Sequence, residues 1–369
     1  MTIVYINSVC NIGSTGRIAV ELYKKDEMDG KEVYFAFGRG TTNDADVKTI
    51  KIGNKFDLCF HGLISRLFDL HGFGSKRATI KFLKKLDSIK PDVIHLHNIH
   101  GYYINIRLLF DYIKENDISV RWTLHDCWAL TGHCSFAGEE IGCKKWKSHC
   151  NKCPLVKEYP RSLIDRSYRN FELKKKIFSG VKNMEIITPS HWLADVVAES
   201  YLKNYHVKVE KNRVDLTPFH NTPSKFRVDN RIDNKFLILS VGFFWDTWKF
   251  NDIVKVANLL EVDEVLVIVG MNRKMSDKLP SNVICVPKTN SREELAKIYS
   301  AADVFINPTY ADNYPTVNLE AESCGTPVIT YDTGGCRETI CNQNSKAVLR
   351  GDIMQLMKEV RKIKNSSKD

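Results

Sequence analysis

The chain has 369 residues, of which 43% are hydrophobic, 10% aromatic and 27% charged, and it carries a formal net charge of +10. At roughly 150 residues per domain that length suggests two globular domains. With a mean hydropathy of -0.28, the composition excludes a peptide module, a disordered chain and a membrane bundle. The positive balance leaves three kinds of partner open: nucleic acid, an anionic membrane surface, or phosphorylated substrates.

The opening residues, MTIVYINSV, have neither a positive n-region nor a long apolar stretch, so they read as a first strand rather than a signal peptide. No run of about 18 apolar residues predicts a transmembrane helix, and a cytoplasmic location is expected. After TIVYINS comes a helix from about Thr15, then the runs EVYFAF, VIHLH, SVRWTLHD, EIITPS and HVKVE with helical stretches between them. That rhythm predicts a mostly parallel α/β sheet.

Five of the 11 cysteines crowd the segment after the TLHD run, and four are spaced Cys134-x8-Cys143-x6-Cys150-x2-Cys153. An odd total in a reducing compartment argues against a disulfide framework. The spacing fits a structural zinc held by four thiolates, with Cys127 or His133 able to replace one ligand. An iron–sulfur cluster and free thiols are the alternatives.

Next comes the basic run RSLIDRSYRNFELKKKIF, with Arg161, Arg166, Arg169, Lys174, Lys175 and Lys176, followed by Lys182; Ile164, Tyr168, Phe171 and Phe178 recur at helical spacing. It reads as an amphipathic helix with a solvated face or as one resting on anionic lipid or on a lipid pyrophosphate. Nucleic acid is disfavoured, because no stacking aromatics of an RNA-binding motif accompany the charges. Residues 211–234, rich in Pro, Asn and charge, look like a linker. Beyond it KFLILSVG, VDEVLVIVG, NVICVP, ADVFINPT and TPVITYD predict a second parallel sheet. Residues 1–235 hold 38 basic and 27 acidic side chains, whereas 236–369 hold 16 and 17, so the whole positive excess is N-terminal.

The most informative stretch is ADVFINPTYADNYPTVNLEAESCGTPVITYDTGG. A strand runs through a loop with Asp312 and Asn313 into a helix beginning near Thr316, with Glu320 a turn or so inside. Helix-start amides donate to phosphate oxygens, while carboxylates accept from sugar hydroxyls. The plainer reading makes Asp312 an N-terminal helix charge and Glu320 a salt-bridge partner.

This stretch resembles the signature of the GT-B glycosyltransferases of family 4, an E-x7-E pair followed by A-x-x-x-GTPV and GG-x-x-E. Asp312 and Glu320 have that spacing, and Ala321, Gly325, Thr326, Pro327, Val328, Gly334, Gly335 and Glu338 follow in order. The likeness extends upstream to SREELAKIYSAADVFINPT, ITPSHWLADVV, TLHDCW and DVIHLHN. It implies two Rossmann-like domains facing each other across a cleft. Residues 1–210 would form the acceptor-side domain with a Cys-rich insert at 127–160, 211–234 the linker, and 235–369 the donor-nucleotide domain. Only 34 residues follow Gly335, so that domain is expected to be shortened at its C-terminus. Similar Cys-rich inserts are associated with a bacterial polysaccharide-assembly branch of the family.

The resemblance also implies an activity: transfer of a sugar, with retention, from a nucleotide-sugar to a lipid-linked or polysaccharide acceptor in capsule, exopolysaccharide or O-antigen assembly, on the inner face of the cytoplasmic membrane. Glu320 would bind the donor ribose, Asp312 would sit by the transferred sugar, and Asn313 and Thr316 would border the donor. Lys249 matches the diphosphate-binding lysine, Gly13 and Gly16 the glycine-bearing loop, and His125 a histidine that reaches the sugar; His97 and Arg17 would line the acceptor side. No Asp-x-Asp accompanies the site, which implies metal-independent catalysis. Two departures stand out. Phe244 occupies the position of the family's arginine, and Asn212, Arg213, Val214 and Asp215 replace Asn-Gly-Val/Ile-Asp. A catalytically weakened homologue acting as an assembly partner is therefore an alternative, as is a zinc-containing nucleic-acid-binding protein.

Overall fold

The computed structural model describes residues 1–42, 45–242, 247–271, 273–280 and 282–366, and it divides into two compact units, Met1–Val214 and Asp215–Asp369. In the first, strands β1 (Thr2–Val9), β2 (Glu32–Arg39), β3 (Thr49–Lys51), β4 (Val93–Leu96), β5 (Ser119–Thr123), β6 (Met184–Thr188) and β7 (His206–Val209) form one sheet. Its order is β3-β2-β1-β4-β5-β6-β7, and every pairing is parallel. Helices α1 (Gly13–Met28), α2 (Lys55–Phe68), α3 (Lys76–Ile89), α4 (Ile106–Glu115), α5 (Ser167–Phe178) and α6 (His191–Ala198) connect the strands.

Both faces of a parallel sheet must be covered, and the alternation along β1 shows how. Ile3 and Tyr5 pack with Phe35, Ala19 and Tyr23 of α1, while Val4 and Ile6 belong to the opposite core with Phe82, Leu109, Phe110 and Trp122.

The second unit begins with α7 (Phe226–Asp229) and carries β8 (Phe236–Val241), β9 (Glu264–Val269), β10 (Val283–Val286), β11 (Val304–Asn307), β12 (Val328–Tyr331) and β13 (Lys346–Val348). The intervening helices are α8 (Thr247–Asn258), α9 (Arg273–Ser276), α10 (Arg292–Ala301) and α11 (Thr316–Ser323), and α12 (Ile353–Ser366) follows the last strand. The strand order is β10-β9-β8-β11-β12-β13, again parallel.

Both sheets reverse their order beside their first strand, at β1/β4 and β8/β11. In open α/β sheets the loops at such a point leave a crevice for a ligand. Every C-terminal-half strand expected from sequence is present, and β13 is added.

Residues 215–234, expected to be linker, pack instead onto the second unit. Phe219 and Ile232 are buried among Leu237, Leu239 and Tyr299, and Arg227 donates to Ala301 O, Lys235 O and Asp303. A few well-placed apolar residues suffice to dock a segment whose overall composition is polar.

Candidate active site

The loops at the second unit's reversal point carry Lys249, Asp312 and Asn313. Lys249 lies in the first turn of α8 and is buried. Its Nζ donates to Asn307 Oδ1 at 3.0 Å. The Asn307 amide continues to Asn318 Oδ1, and the Asn318 amide to Thr339 Oγ1, at 3.0 and 2.9 Å. A buried chain of polar groups thus fixes the ammonium at the end of β11 and ties it to α11. Burial makes every member depend on its partner, which stiffens the arrangement. Sequence reading had not singled out Asn307 or Asn318, and nothing in their spacing marks them. Phe244 lies outside the described residues.

Asp312 and Asn313 follow β11. The Asp312 carboxylate accepts from Tyr314 N at 3.1 Å, and its backbone carbonyl accepts from Gly335 N at 3.0 Å. Asn313 is 3% exposed, and neither its Nδ2 nor its Oδ1 has a hydrogen-bond partner among the described residues. An amide hidden this way loses about 1–3 kcal/mol unless something pairs with it. A ligand with donors and acceptors, such as a sugar, would satisfy both atoms.

Thr316 opens α11, whose N-cap, Pro315, offers no side-chain bond, and whose first turn has no acid. Asn318 N donates to Pro315 O at 3.2 Å, so it is the amides before it that are left for an anion. Glu320 sits on the buried side of the same helix, where Tyr299 Oη donates to its Oε2 at 3.3 Å. Lys249, Asn313 and Glu320 are thus buried polar groups, and Lys249 is close enough to Asp312 for its charge to act on that carboxyl.

Burial pushes the Asp312 carboxyl up to about 6, against the smaller lowering effects of the Tyr314 amide and the Lys249 charge. A sugar-binding carboxylate must be ionised to accept two hydroxyls, so activity is expected to fall as pH drops through about 6. The stability sign is the reverse. The folded state holds its proton longer than the unfolded one, so ionisation between the ordinary 3.8 and about 6 removes stability. Asp312→Asn is expected to lose the acid limb together with most activity. It should also be more stable than the parent at pH 7, by on the order of 2 kcal/mol. Rate profiles and denaturant titrations at pH 5 and 7 check both signs.

In the first unit the equivalent loops carry Gly13, Gly16, Arg17, His97 and His125. Gly13 begins α1 at φ +66, with no side-chain cap and no acid in the first turn. A Cβ on Gly16 would stand 3.1 Å from Val9 Cγ2 and 3.3 Å from Asn11 N, so this glycine lets the helix close tightly onto β1. Arg17 Nε donates back to Gly13 O.

His97 Nδ1 and His125 Nε2 lie 2.8 Å apart. Burial lowers the His125 pKa to about 4 and that of His97 well below its usual value, so both imidazoles are neutral near pH 7. His125 therefore offers a hydrogen-bonding group rather than a cation.

Sequence reading missed the neighbouring pair. His100 Nε2 lies 2.7 Å from Asp126 Oδ2, and Asp126 Oδ1 accepts from Trp128 N. Burial raises the Asp126 carboxyl, but His100 and these hydrogen bonds prevail and hold it below its ordinary value. Arg213 lines a separate cavity of about 360 Å³ with Ile18, Lys25, Thr123, Ile187 and Lys211.

Cys134, Cys143, Cys150 and Cys153 all border one small cavity with His133 and Trp146, and all are free thiols. Among the described residues, however, no group of three or more His, Cys, Asp or Glu is gathered so as to hold a metal ion. Other bonds order the segment: Gly132 N donates to Cys150 Sγ, Cys153 N to Asp165, and His133 Nδ1 pairs with Asp69 at 2.7 Å.

Lys174 also secures it, and here the expected basic face needs correction. Its Nζ is buried, sits 3.5 Å over the Trp128 ring and donates to Trp128 O and Thr131 O. Phe171 and Phe178 face inward with it, whereas Ile164 lies before the helix.

These features define a class. Residues 222–369 match the family model described as glycosyl transferases group 1, so the chain carries a group 1 glycosyltransferase domain, within a fold of two parallel-sheet, Rossmann-like domains of the GT-B type. Among particular relatives, it is 25% identical to the putative colanic acid biosynthesis glycosyl transferase WcaC of Escherichia coli K12, covering 97% of this chain and 89% of that one. Two solved structures share the fold. Sucrose-phosphate synthase from Thermosynechococcus elongatus has a TM-score of 0.71 and 16% identity, over 99% of this chain and 90% of that one. HepE from Anabaena, in complex with UDP and glucose, has a TM-score of 0.69 and 13% identity, over 100% and 91%.

Proposed function

We propose that this enzyme transfers a sugar, with retention and without a catalytic metal, from a nucleoside-diphosphate sugar to a lipid-linked or polysaccharide acceptor in the assembly of a cell-surface polysaccharide. The observation that carries the reading is the buried, unpartnered Asn313 amide beside Asp312. The same unit supplies an anchored ammonium, Lys249, and uncapped helix amides. That combination suits a ligand that is sugar at one end and diphosphate at the other.

In this reading Lys249 and the amides at Thr316 stabilise the negative charge that grows on the departing diphosphate. Asp312 and Asn313 hold the sugar hydroxyls, and Glu320 holds the ribose. On the first unit, neutral His125, positioned by His97, accepts or donates a hydrogen bond to the sugar. The glycine-bearing turn at Gly13 and Gly16 leaves room for donor atoms to approach, and Arg17 borders the acceptor.

The relative WcaC is named for colanic acid biosynthesis, which favours a surface polysaccharide as the product. No helix among the described residues is long and apolar enough to cross a membrane. A lipid-linked acceptor would then be met by peripheral docking at the cytoplasmic face. The test is turnover of labelled UDP- and GDP-sugars with a lipid-linked acceptor, with the product's anomeric configuration read by NMR. Retained configuration supports the proposal. An inverted product overturns the retaining assignment, and donor binding without transfer to any acceptor favours the weakened-homologue alternative.

A further inference from the structure

Helix α2 packs Leu58 against the core but leaves several large apolar side chains facing outward. An ordinary surface helix turns its apolar side to the core and its polar side to water. In α2 the only buried residues are His61 and Ser65, whereas Phe56, Phe60, Leu63 and Phe68 are 87, 63, 54 and 49% exposed. Phe56, Phe60 and Leu63 stand at i, i+4 and i+7, on one face of the helix.

The inward face has a specific reason to be polar. His61 Nε2 accepts from Gly72 N and Gly74 N, its Nδ1 meets Ser75 Oγ at 2.9 Å, and Ser65 Oγ donates to His61 O. The helix is also held at its start by a reciprocal cap between Asn54 and Asp57, so it needs no partner on the apolar side to form.

The charge around this face is one-sided. From Lys51 to Lys90 nine basic side chains accompany three acidic ones. Helix α3, which adjoins α2 through the His61–Ser75 bond and the close approach of Gly53 to Ala78, exposes Lys76, Arg77, Lys81, Lys84 and Lys85. Leu163, itself 67% exposed, is attached at the other end, where its N donates to Arg66 O. Several large apolar side chains on one face exceed the scattered exposure usual for a soluble surface. Bordered by lysine and arginine, they match the apolar and anionic layers of a lipid surface in depth and sign.

We infer that α2, flanked by the basic side of α3, is the face with which this enzyme docks on an anionic bilayer. Phe56, Phe60 and Leu63 enter the boundary between headgroups and acyl chains, and the lysines meet the headgroup charge. The inference rests on the membrane-docking reading above and moves it from α5, the helix the basic run had suggested, because Phe171, Lys174 and Phe178 of α5 are buried and leave Tyr168 as its one outward aromatic residue.

Flotation with vesicles of phosphatidylcholine alone, and of phosphatidylcholine mixed with phosphatidylglycerol, tests it on the full chain. The parent protein should bind the mixed vesicles at least about tenfold more tightly than the neutral ones. Phe56→Ser, Phe60→Ser and Leu63→Ser together, and separately Lys81→Glu with Lys84→Glu, should each weaken that binding at least about tenfold. Arg169→Glu with Lys175→Glu on α5 should leave it within about twofold, since exposed charges outside the docking face add little. Thermal unfolding and nucleotide binding, measured on each variant, show that the fold and the donor site are intact. Undiminished binding by the α2 variants, or loss in the α5 variant instead, overturns this face while leaving peripheral docking standing. Failure of the parent to bind either vesicle overturns both. A self-association that the triple serine variant abolishes, with no vesicle binding, overturns the lipid assignment in favour of a contact between copies of the chain.

Discussion

Replacing Lys249 by methionine is expected to lower kcat by two to three orders of magnitude, equivalent to about 3–4 kcal/mol of transition-state stabilisation. As the bond from sugar to diphosphate lengthens, negative charge gathers on the departing phosphates, and a buried ammonium nearby is worth far more than one in water. Lys249 is held in place by Asn307, which is fixed in turn by Asn318 and Thr339, so little reorganisation is needed during reaction. The same bonds give the side chain a structural share, and two comparisons separate the contributions. Methionine keeps the apolar stem and removes the charge. Asn307→Ala keeps the charge and removes its anchor, and it should reduce kcat only about tenfold, the cost of one hydrogen bond to a charged group. A Lys249→Met enzyme that loses thermal stability but less than about tenfold in kcat would show the lysine to be a structural residue alone.

Gly334→Ala should be among the most disruptive single substitutions in the second unit. Gly334 has φ +53, and a Cβ there would lie 1.9 Å from the carbonyl oxygen and 2.9 Å from the carbonyl carbon of Asp312. The chain cannot yield without moving Asp312 or breaking the 3.0 Å bond from Gly335 N to that oxygen. Gly325 provides the control. It follows the C-cap of α11 at φ +84, yet a Cβ there meets nothing within 4 Å. Gly325→Ala should therefore show only the left-handed backbone penalty of about 1–2 kcal/mol. Gly334→Ala should exceed about 4 kcal/mol, or keep its fold by displacing the Asp312 loop and losing donor affinity. Urea unfolding of the two variants measures the difference, and equal losses would show that the contact with Asp312 has no energetic weight.

Much of this architecture was legible in the chain, for identifiable reasons. Strands such as β1 and β8 announce themselves because a parallel sheet buried on both faces demands continuous apolar runs. Asp312, Asn313, Thr316 and Glu320 could be found because one strand, one loop and one short helix bring them together, so the local spacing is the geometry. Three-residue strands escaped: β3 and β13 each contain a single buried residue, Ile50 and Val348, and no periodicity builds up over that length. The direction a helix faces was also hidden. Basic residues on α5 suggested a charged face, yet Lys174 is sequestered over Trp128; on α2, which carried no sequence signal of its orientation, Phe56 and Phe60 point outward. In both cases distant partners decide: the carbonyls of Trp128 and Thr131 for the lysine, and the turn at Gly72–Ser75 for His61. The Lys249–Asn307–Asn318–Thr339 chain was invisible for the same reason, since its members come from four separate elements.

The site's central claim is that the second unit binds a nucleoside-diphosphate sugar through Glu320 and its neighbours. Titration calorimetry of UDP, GDP and their sugars into the parent protein and Glu320→Ala tests it most directly. One nucleotide series should bind the parent, and the Glu320→Ala protein, folded by its thermal transition, should bind that series at least about tenfold more weakly, as expected for loss of a charged hydrogen-bond acceptor. Absence of binding by every nucleotide, or equal affinity in the two proteins, would contradict it.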